Sequence, residues 1–240
     1  MELTSHIALS RQTSLEREMR TIAQNLANMS TTGYRREGMI FSESVQALES
    51  GGSVSMTALN ARYSSELAGG MTRTGGTFDI AIEGDGFFQT IGDAGARLTR
   101  AGAFVMDAQG ALVTTLGERL VDAAGAPVVL PPGASDITIA GDGTMTADGE
   151  PVAQIGLWTT APGASLERED GVRFRSDQPF VPVEEGEMRQ GFLEDSNVRP
   201  VEEMTRMIEV QRVYEFAQTL QDREDERTLN TIRTLGQAPR

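Results

Sequence analysis

Cysteine and lysine are both absent from the 240-residue chain, so all 21 basic residues are arginine. The first absence excludes disulfides, thiolate metal sites and cysteine nucleophiles. The second excludes a phosphate-loop lysine and Schiff-base chemistry. Histidine occurs once, at His6, which leaves no histidine-based triad and no histidine cluster for a metal. Aromatic residues make up only 5%, so any core is mainly aliphatic. Positive charge is scarce: 21 basic against 35 acidic residues give a net charge of -14. A polyanion is repelled by that field, and no nucleic-acid partner is expected. No apolar run reaches the length of a membrane-spanning helix, so direct membrane insertion is not expected. The opening segment MELTSHIALSRQTSLE lacks the basic start and apolar run of a cleavable signal peptide.

What is present is organised by period. Leu15, Met19, Ile22, Leu26 and Met29 follow at spacings of four, three, four and three, the seam of a helix. Ser30, Thr31 and Thr32 compete for backbone hydrogen bonds and Gly33 permits a left-handed turn, so the helix is expected to stop near Met29. Residues 34–70, including the SGGSVS stretch from Ser50 to Ser55, show no clear period and read as an extended linker. From about Met71 the pattern turns to strands. Phe78, Ile80 and Ile82 alternate with Asp79, Ala81 and Glu83, as in a half-buried strand. Turns are expected at Gly84-Asp85-Gly86, Gly92-Asp93, Asp107 to Gly110, Asp122 to Gly125, Gly141-Asp142-Gly143 and Asp148-Gly149.

The last fifty residues return to helix. Ser196 or Asn197 offers a cap, Pro200 fits a first turn, and Val201, Met204, Ile208, Gln211, Val213, Ala217 and Leu220 form an apolar side. The polar run Gln221 to Arg227 reads as solvated, and Leu229, Ile232 and Leu235 form a second short stripe. The expected fold is therefore α+β and mainly β. An antiparallel β-rich central domain, 71–190, is flanked by an N-terminal helix in 1–33 and a C-terminal helix in 191–240, which pair as a coiled coil. An isolated helix of the N-terminal kind is marginal in water. The C-terminal stripe is the partner the sequence offers, with Leu3, Ile7, Leu9, Met207 and Val210 left over as apolar surface. A self-contained helical hairpin and contact with neighbouring subunits both fit that surplus; repeated contacts that do not close build a filament.

Three stretches carry a family resemblance. Asn25-Leu26-Ala27-Asn28-Met29-Ser30-Thr31-Thr32-Gly33-Tyr34 resembles the N-terminal motif of flagellar basal-body rod and hook proteins. Phe78 to Phe88, continued by Leu98 to Phe104, is similar to their entry into the central β domain. Gly191 to Glu215 is similar to their C-terminal signature. The three occur in family order over nearly the whole chain. Length and C-terminal segment resemble proximal rod members most, with distal rod members the close alternative and hook proteins further off. Asp195 stands where relatives often carry Gly, and Thr205 where an apolar residue is common.

The resemblance implies a structural subunit, not an enzyme, in the periplasmic rod of the flagellar basal body. It implies terminal helices packed in an inner tube with the β domain outside, torque transmission, and a channel for later subunits. Expected partners are other rod proteins, proximal and distal, further copies of itself, and the flagellar type III export apparatus. No cofactor, metal or catalytic residue is expected. Candidate subunit-interface residues are Leu15, Met19, Ile22, Asn25, Leu26, Asn28, Met29, Gly33 and Tyr34 at one end, and Val201, Met204, Ile208, Arg212, Tyr214 and Leu220 at the other. For Asn25 and Asn28, simple capping and hydrogen bonding between subunits stand side by side. Gly33 reads first as a backbone requirement. Arg212 and Glu209 read as a solvated face or as a charge pair that fixes register. The competing readings are a β-domain carbohydrate binder on a helical stalk and a hydrolase using the carboxylates of Glu83 and Asp85.

Overall fold

The computed structural model describes residues 2–47, 53–183 and 186–236. The chain forms two compact units. One gathers Met1–Ala27, Glu37–Ser65 and Arg199–Arg240; the other gathers Asn28–Arg36 and Glu66–Val198. The architecture is α+β and mainly β, with a helix at each end of the chain.

The first unit holds α1 (Glu2–Ala27), the strands β1 (Glu37–Ala47) and β2 (Ser53–Ser64), and α2 (Pro200–Gly236). Proline opens α2, where its missing N–H costs nothing. Glu202 and Glu203 follow in the first turn, at the positive end of the helix dipole. The helix does not start at 191: Phe192–Glu194 is a strand paired with Met71–Arg73. Nor does α1 run to Met29, because residues 28–30 already turn. The stretch expected as linker carries the long antiparallel β1–β2 pair, with a bulge between Ile40 and Phe41. Residues 50–52 of the SGGSVS stretch lie outside the described residues, while Ser53 to Ser55 begin β2.

In the second unit, a seven-stranded antiparallel sheet runs in the order Glu167–Asp170, Arg173–Arg175, Gly95–Thr99, Phe88–Gly92, Arg119–Leu120, Leu112–Thr114, Phe104–Met106. Its core joins Ile80, Ile82, Phe88, Phe104, Leu112, Leu120, Met145 and Ile155. Phe88 and Phe104 meet edge to face at 5.3 Å. The turns are local chemistry. Asp107 Oδ1 accepts the N–H groups of Gln109 and Ala111 at 2.9 and 2.8 Å. Asp122 Oδ1 does the same with Ala124 and Ala126, again at 2.9 and 2.8 Å. Each loop closes on a glycine of positive φ, Gly110 and Gly125. One expectation fails in detail. Ile80–Glu83 is not a strand with one wet face, since Ala81 is as buried as Ile80 and Ile82.

Candidate subunit interface

Within the first unit the two helices run antiparallel. Gln12 Nε2 donates to the Tyr214 hydroxyl at 2.9 Å, Arg206 pairs with Glu18 at 2.7 Å, and Asn25 Nδ2 donates to Glu203 Oε2 at 3.2 Å. The numbers rise along one helix as they fall along the other. Continuing that register, α1 begins opposite about residue 224. Roughly the last dozen residues of α2, about 18 Å at about 1.5 Å each, extend past it. Beside the pair lies an open groove of about 630 Å³ floored by Leu15, Val210 and Val213 and flanked by Glu18 and Arg206.

The face that α2 turns inward is not the face its apolar pattern suggested. Glu203, Met207, Val210, Tyr214, Ala217 and Gln221, spaced four, three, four, three and four, and then Thr228, are buried or half-buried. Val201, Met204, Ile208 and Leu220, expected to pair with α1, are exposed, Val201 at 76%. Met207 and Val210, expected as surplus, are the ones covered. Thr205 is also outside the seam, its hydroxyl donating to Val201 O at 2.9 Å. On α1, Ile22 is buried, Leu15, Met19 and Leu26 are half-buried, and Met29 is exposed beyond the helix end. The α1 seam is therefore turned toward Ser14, Thr21, Ile22 and Asn25, which are buried.

The reason lies in polar residues that hydropathy reads as surface. Asn25 is 1% exposed. Its Oδ1 accepts the N–H of Glu37 and its Nδ2 donates to the carbonyl of the same residue, both at 2.9 Å. The amide thus serves the start of β1 as a neighbouring strand would. Its second donor bond, to the buried Glu203, fixes the face of α2. Asn25 is neither a helix cap nor an outward-facing group.

With about 3.6 residues per turn, the outward residues of α2 form two stripes, each roughly 120° from the seam. Val201, Met204 and Ile208 make one; Val213, Phe216 and Leu220 make the other. All six are exposed, Phe216 at 65%. Arg212 is exposed between them, and Glu209 is exposed on the flank of the second.

The rest of the N-terminal motif is spent inside the second unit. Asn28 Oδ1 accepts from the Thr31 hydroxyl at 3.1 Å. Gly33 sits at φ 69, and its N–H donates to Glu194 O at 2.8 Å. A Cβ there would lie 2.3 Å from the Ala101 nitrogen, so only glycine fits. Tyr34 is fully buried, with the Arg168 guanidinium 4.5 Å from its ring centre and 4.7 Å from that of Phe174. Gly33 and Tyr34 are therefore closed to any neighbour.

Beside them Glu194, 1% exposed, takes Arg35 at 2.9 Å and Arg100 at 3.2 Å, and its Oε1 also accepts the N–H of Gly69 at 3.0 Å. Burial pushes both guanidinium pKa values down from their ordinary value, and the Glu194 charge opposes it. Among the described residues, the Nε atoms of Arg35 and Arg100 have no hydrogen-bond partner. Asp195, where relatives often carry Gly, keeps negative φ; its carboxylate accepts from Thr72 Oγ1 at 2.7 Å. Glu83 is exposed and paired with Arg189 at 2.5 Å on the adjacent strand. Among the described residues no group of three acidic or histidine side chains is placed to hold a metal, and no helix is long and apolar enough to cross a membrane.

Residues 6–35 match the family model described as "Flagella basal body rod protein". Residues 81–147 match "Flagellar hook protein FlgE/F/G D1 domain", and 189–233 match "Flagellar basal body rod FlgEFG protein C-terminal". The rod protein FlgF of Mesorhizobium japonicum is 36% identical over 98% of this chain and 99% of its own length. The chain belongs to the flagellar basal-body rod protein family. Among family members it is most like FlgF: the Rhizobium meliloti FlgF is 33% identical over 98% of the chain, whereas the FlgG of Bacillus subtilis is 30% identical over 86%. Like these relatives it is a structural protein of the flagellar basal body, not an enzyme. The two terminal matches cover most of α1 with the Asn25–Tyr34 motif, and Glu194 with most of α2. The carboxylate of Glu203 and the ion trio around Glu194 escaped sequence reasoning, because a charge in a short polar stretch carries no burial signal.

Proposed function

We propose that this rod protein works at the proximal rod position, assembling with other rod proteins through the outward side of its paired terminal helices. The helices act as a coiled coil of heptad type, antiparallel, with polar residues at the seam setting register. The first unit, with both helices and the β1–β2 pair, serves assembly, and the second unit forms the body. The assembled helices transmit torque and surround the channel through which later subunits pass. The chain reaches the rod through the flagellar type III export apparatus. The subunit-facing residues are narrowed to Leu15, Met19, Leu26, Asn28, Met29, Val201, Met204, Ile208, Arg212, Tyr214 and Leu220, the candidates that the chain itself leaves exposed or half-covered.

One observation carries this reading: α2 keeps two apolar stripes in water after its seam with α1 is filled. Scattered exposed apolar residues need no explanation, but contiguous ones mark interaction surfaces. The test is deletion of residues 1–27, which removes the seam partner of α2 and leaves the second unit whole. The truncated chain is expected to retain its β signature by circular dichroism and to be absent from purified basal bodies. Motility with the truncated chain incorporated would overturn the reading.

A further inference from the structure

The two outward stripes of α2 are the same pattern written twice. Val201, Met204 and Ile208 are spaced three and four; Val213, Phe216 and Leu220 repeat that spacing twelve residues on. Twelve residues advance about 18 Å along a helix and turn roughly 120° about its axis. The stripes therefore lie on opposite flanks, and one straight partner helix reaches only one of them. A subunit with two different complementary flanks forms heterologous contacts, which propagate instead of closing in pairs.

We propose that the occupant of each stripe is a second copy of this chain: Val201–Met204–Ile208 of one copy seats against Val213–Phe216–Leu220 of the next, with the two α2 helices parallel and staggered by twelve residues. This rests on the rod-subunit reading above. A screw operation along a rod never reverses a helix aligned with it, which fixes the parallel sense. The stagger follows from what each stripe meets without it. At equal height the opposite flank carries Glu202, Thr205 and Glu209, so three apolar side chains face two carboxylates and a hydroxyl.

Charge supports the same register. A twelve-residue shift sets Arg212 of one copy opposite Glu224 of the next, and Glu215 opposite Arg227. All four side chains are exposed. Glu224 and Arg227 already form one pair at 2.7 Å, and Arg212 and Glu215 would present the reverse polarity to it. Within one chain Arg212 and Glu224 are about 18 Å apart along the helix and never meet.

The chain has no native cysteine, so introduced thiols report without background. Full-length chains carrying Met204→Cys and others carrying Phe216→Cys are expressed together in cells lacking the native copy, and basal bodies are oxidised and purified. The expected product is a disulfide between the two variants, with neither variant linking to itself. A self-link of either variant, a link only to another rod protein, or incorporation with no link at all would overturn the proposal and leave the rod reading standing. Failure of both variants to enter basal bodies, while wild type enters, is checked with a second pair on otherwise native flanks. Arg212→Glu is expected to lower the cross-linked yield several-fold and Arg212→Glu with Glu224→Arg to restore it; absence of rescue sinks the staggered contact. Absence of the wild-type chain itself from basal bodies removes the rod reading and this contact together.

Discussion

Asn25 pairs both polar atoms of its side chain with the backbone N–H and C=O of Glu37, each at 2.9 Å, so one amide joins the end of α1 to the start of β1. An aspartate at this position keeps the acceptor and loses both donors. Its carboxylate would face the carbonyl of Glu37 and the buried carboxylate of Glu203. Asn25→Asp is expected to destabilise the first unit by about 3 kcal/mol, more than the loss of a neutral hydrogen bond. Denaturant unfolding followed by helical circular dichroism checks this. Equal stability of wild type and Asn25→Asp at neutral pH would show that the Asn25 amide does not hold α1 to β1 and α2.

Local features were legible in the sequence and long-range choices were not. The Asp107 and Asp122 turns, the Pro200 helix start and the existence of both helices follow from neighbours a few residues apart. The inward face of α2 does not. Val201, Met204 and Ile208 give a helical spacing as good as Met207, Val210 and Tyr214, and hydropathy favours the first set. The decision is made by Glu203, whose partner Asn25 lies 178 residues away. The family motif could be recognised, yet recognition left open why Gly33 is there. That reason is the Ala101 backbone, which only the folded chain brings close.

Gly33→Ala tests that close approach. The added methyl meets backbone atoms at 2.3 and 2.4 Å, and backbone does not rotate away as a side chain would. Alanine also disfavours φ 69. The sum is expected to exceed about 2 kcal/mol of destabilisation. Gly125→Ala is the control: its φ is 83 but none of the described residues stands within 4 Å, so only the conformational cost of about 1 kcal/mol remains. Thermal unfolding of both variants separates steric from conformational cost, and a smaller loss for Gly33→Ala than for Gly125→Ala would refute the packing argument.

Glu194 holds two arginines and one backbone N–H in a site closed to water. Glu194→Gln preserves size and leaves Arg35 and Arg100 facing each other without the anion. Breaking a buried pair from one side costs about 3–5 kcal/mol, because the remaining charge stays desolvated. Glu194→Asp keeps the charge at shorter reach and is expected to fall between wild type and Glu194→Gln in unfolding midpoint. A Gln variant as stable as wild type would mean that water reaches the two guanidinium groups.

Acid sensitivity of the second unit follows from exposed carboxylates that accept backbone hydrogen bonds. Asp148 Oδ1 takes the N–H groups of Asp136 and Ser135 and the Ser135 hydroxyl, at 3.0, 3.2 and 3.0 Å. These bonds hold its pKa below the ordinary 3.8. Asp142 is lowered likewise by the N–H and hydroxyl of Thr144. A carboxyl whose folded pKa lies below its unfolded one adds stability that is complete above the unfolded value, and that stability is lost as pH falls through the folded value. The unfolding midpoint is therefore expected to be flat down to about pH 4 and to decline below it. Asp148→Asn keeps an acceptor oxygen and tolerates the left-handed φ of 51 that this residue adopts. It removes the titration, so its midpoint is expected to lie below wild type at neutral pH and to approach it as the solution is acidified. Parallel midpoint-against-pH curves for the two proteins would show that the Asp148 charge has no part in holding the Ser135–Asp136 turn.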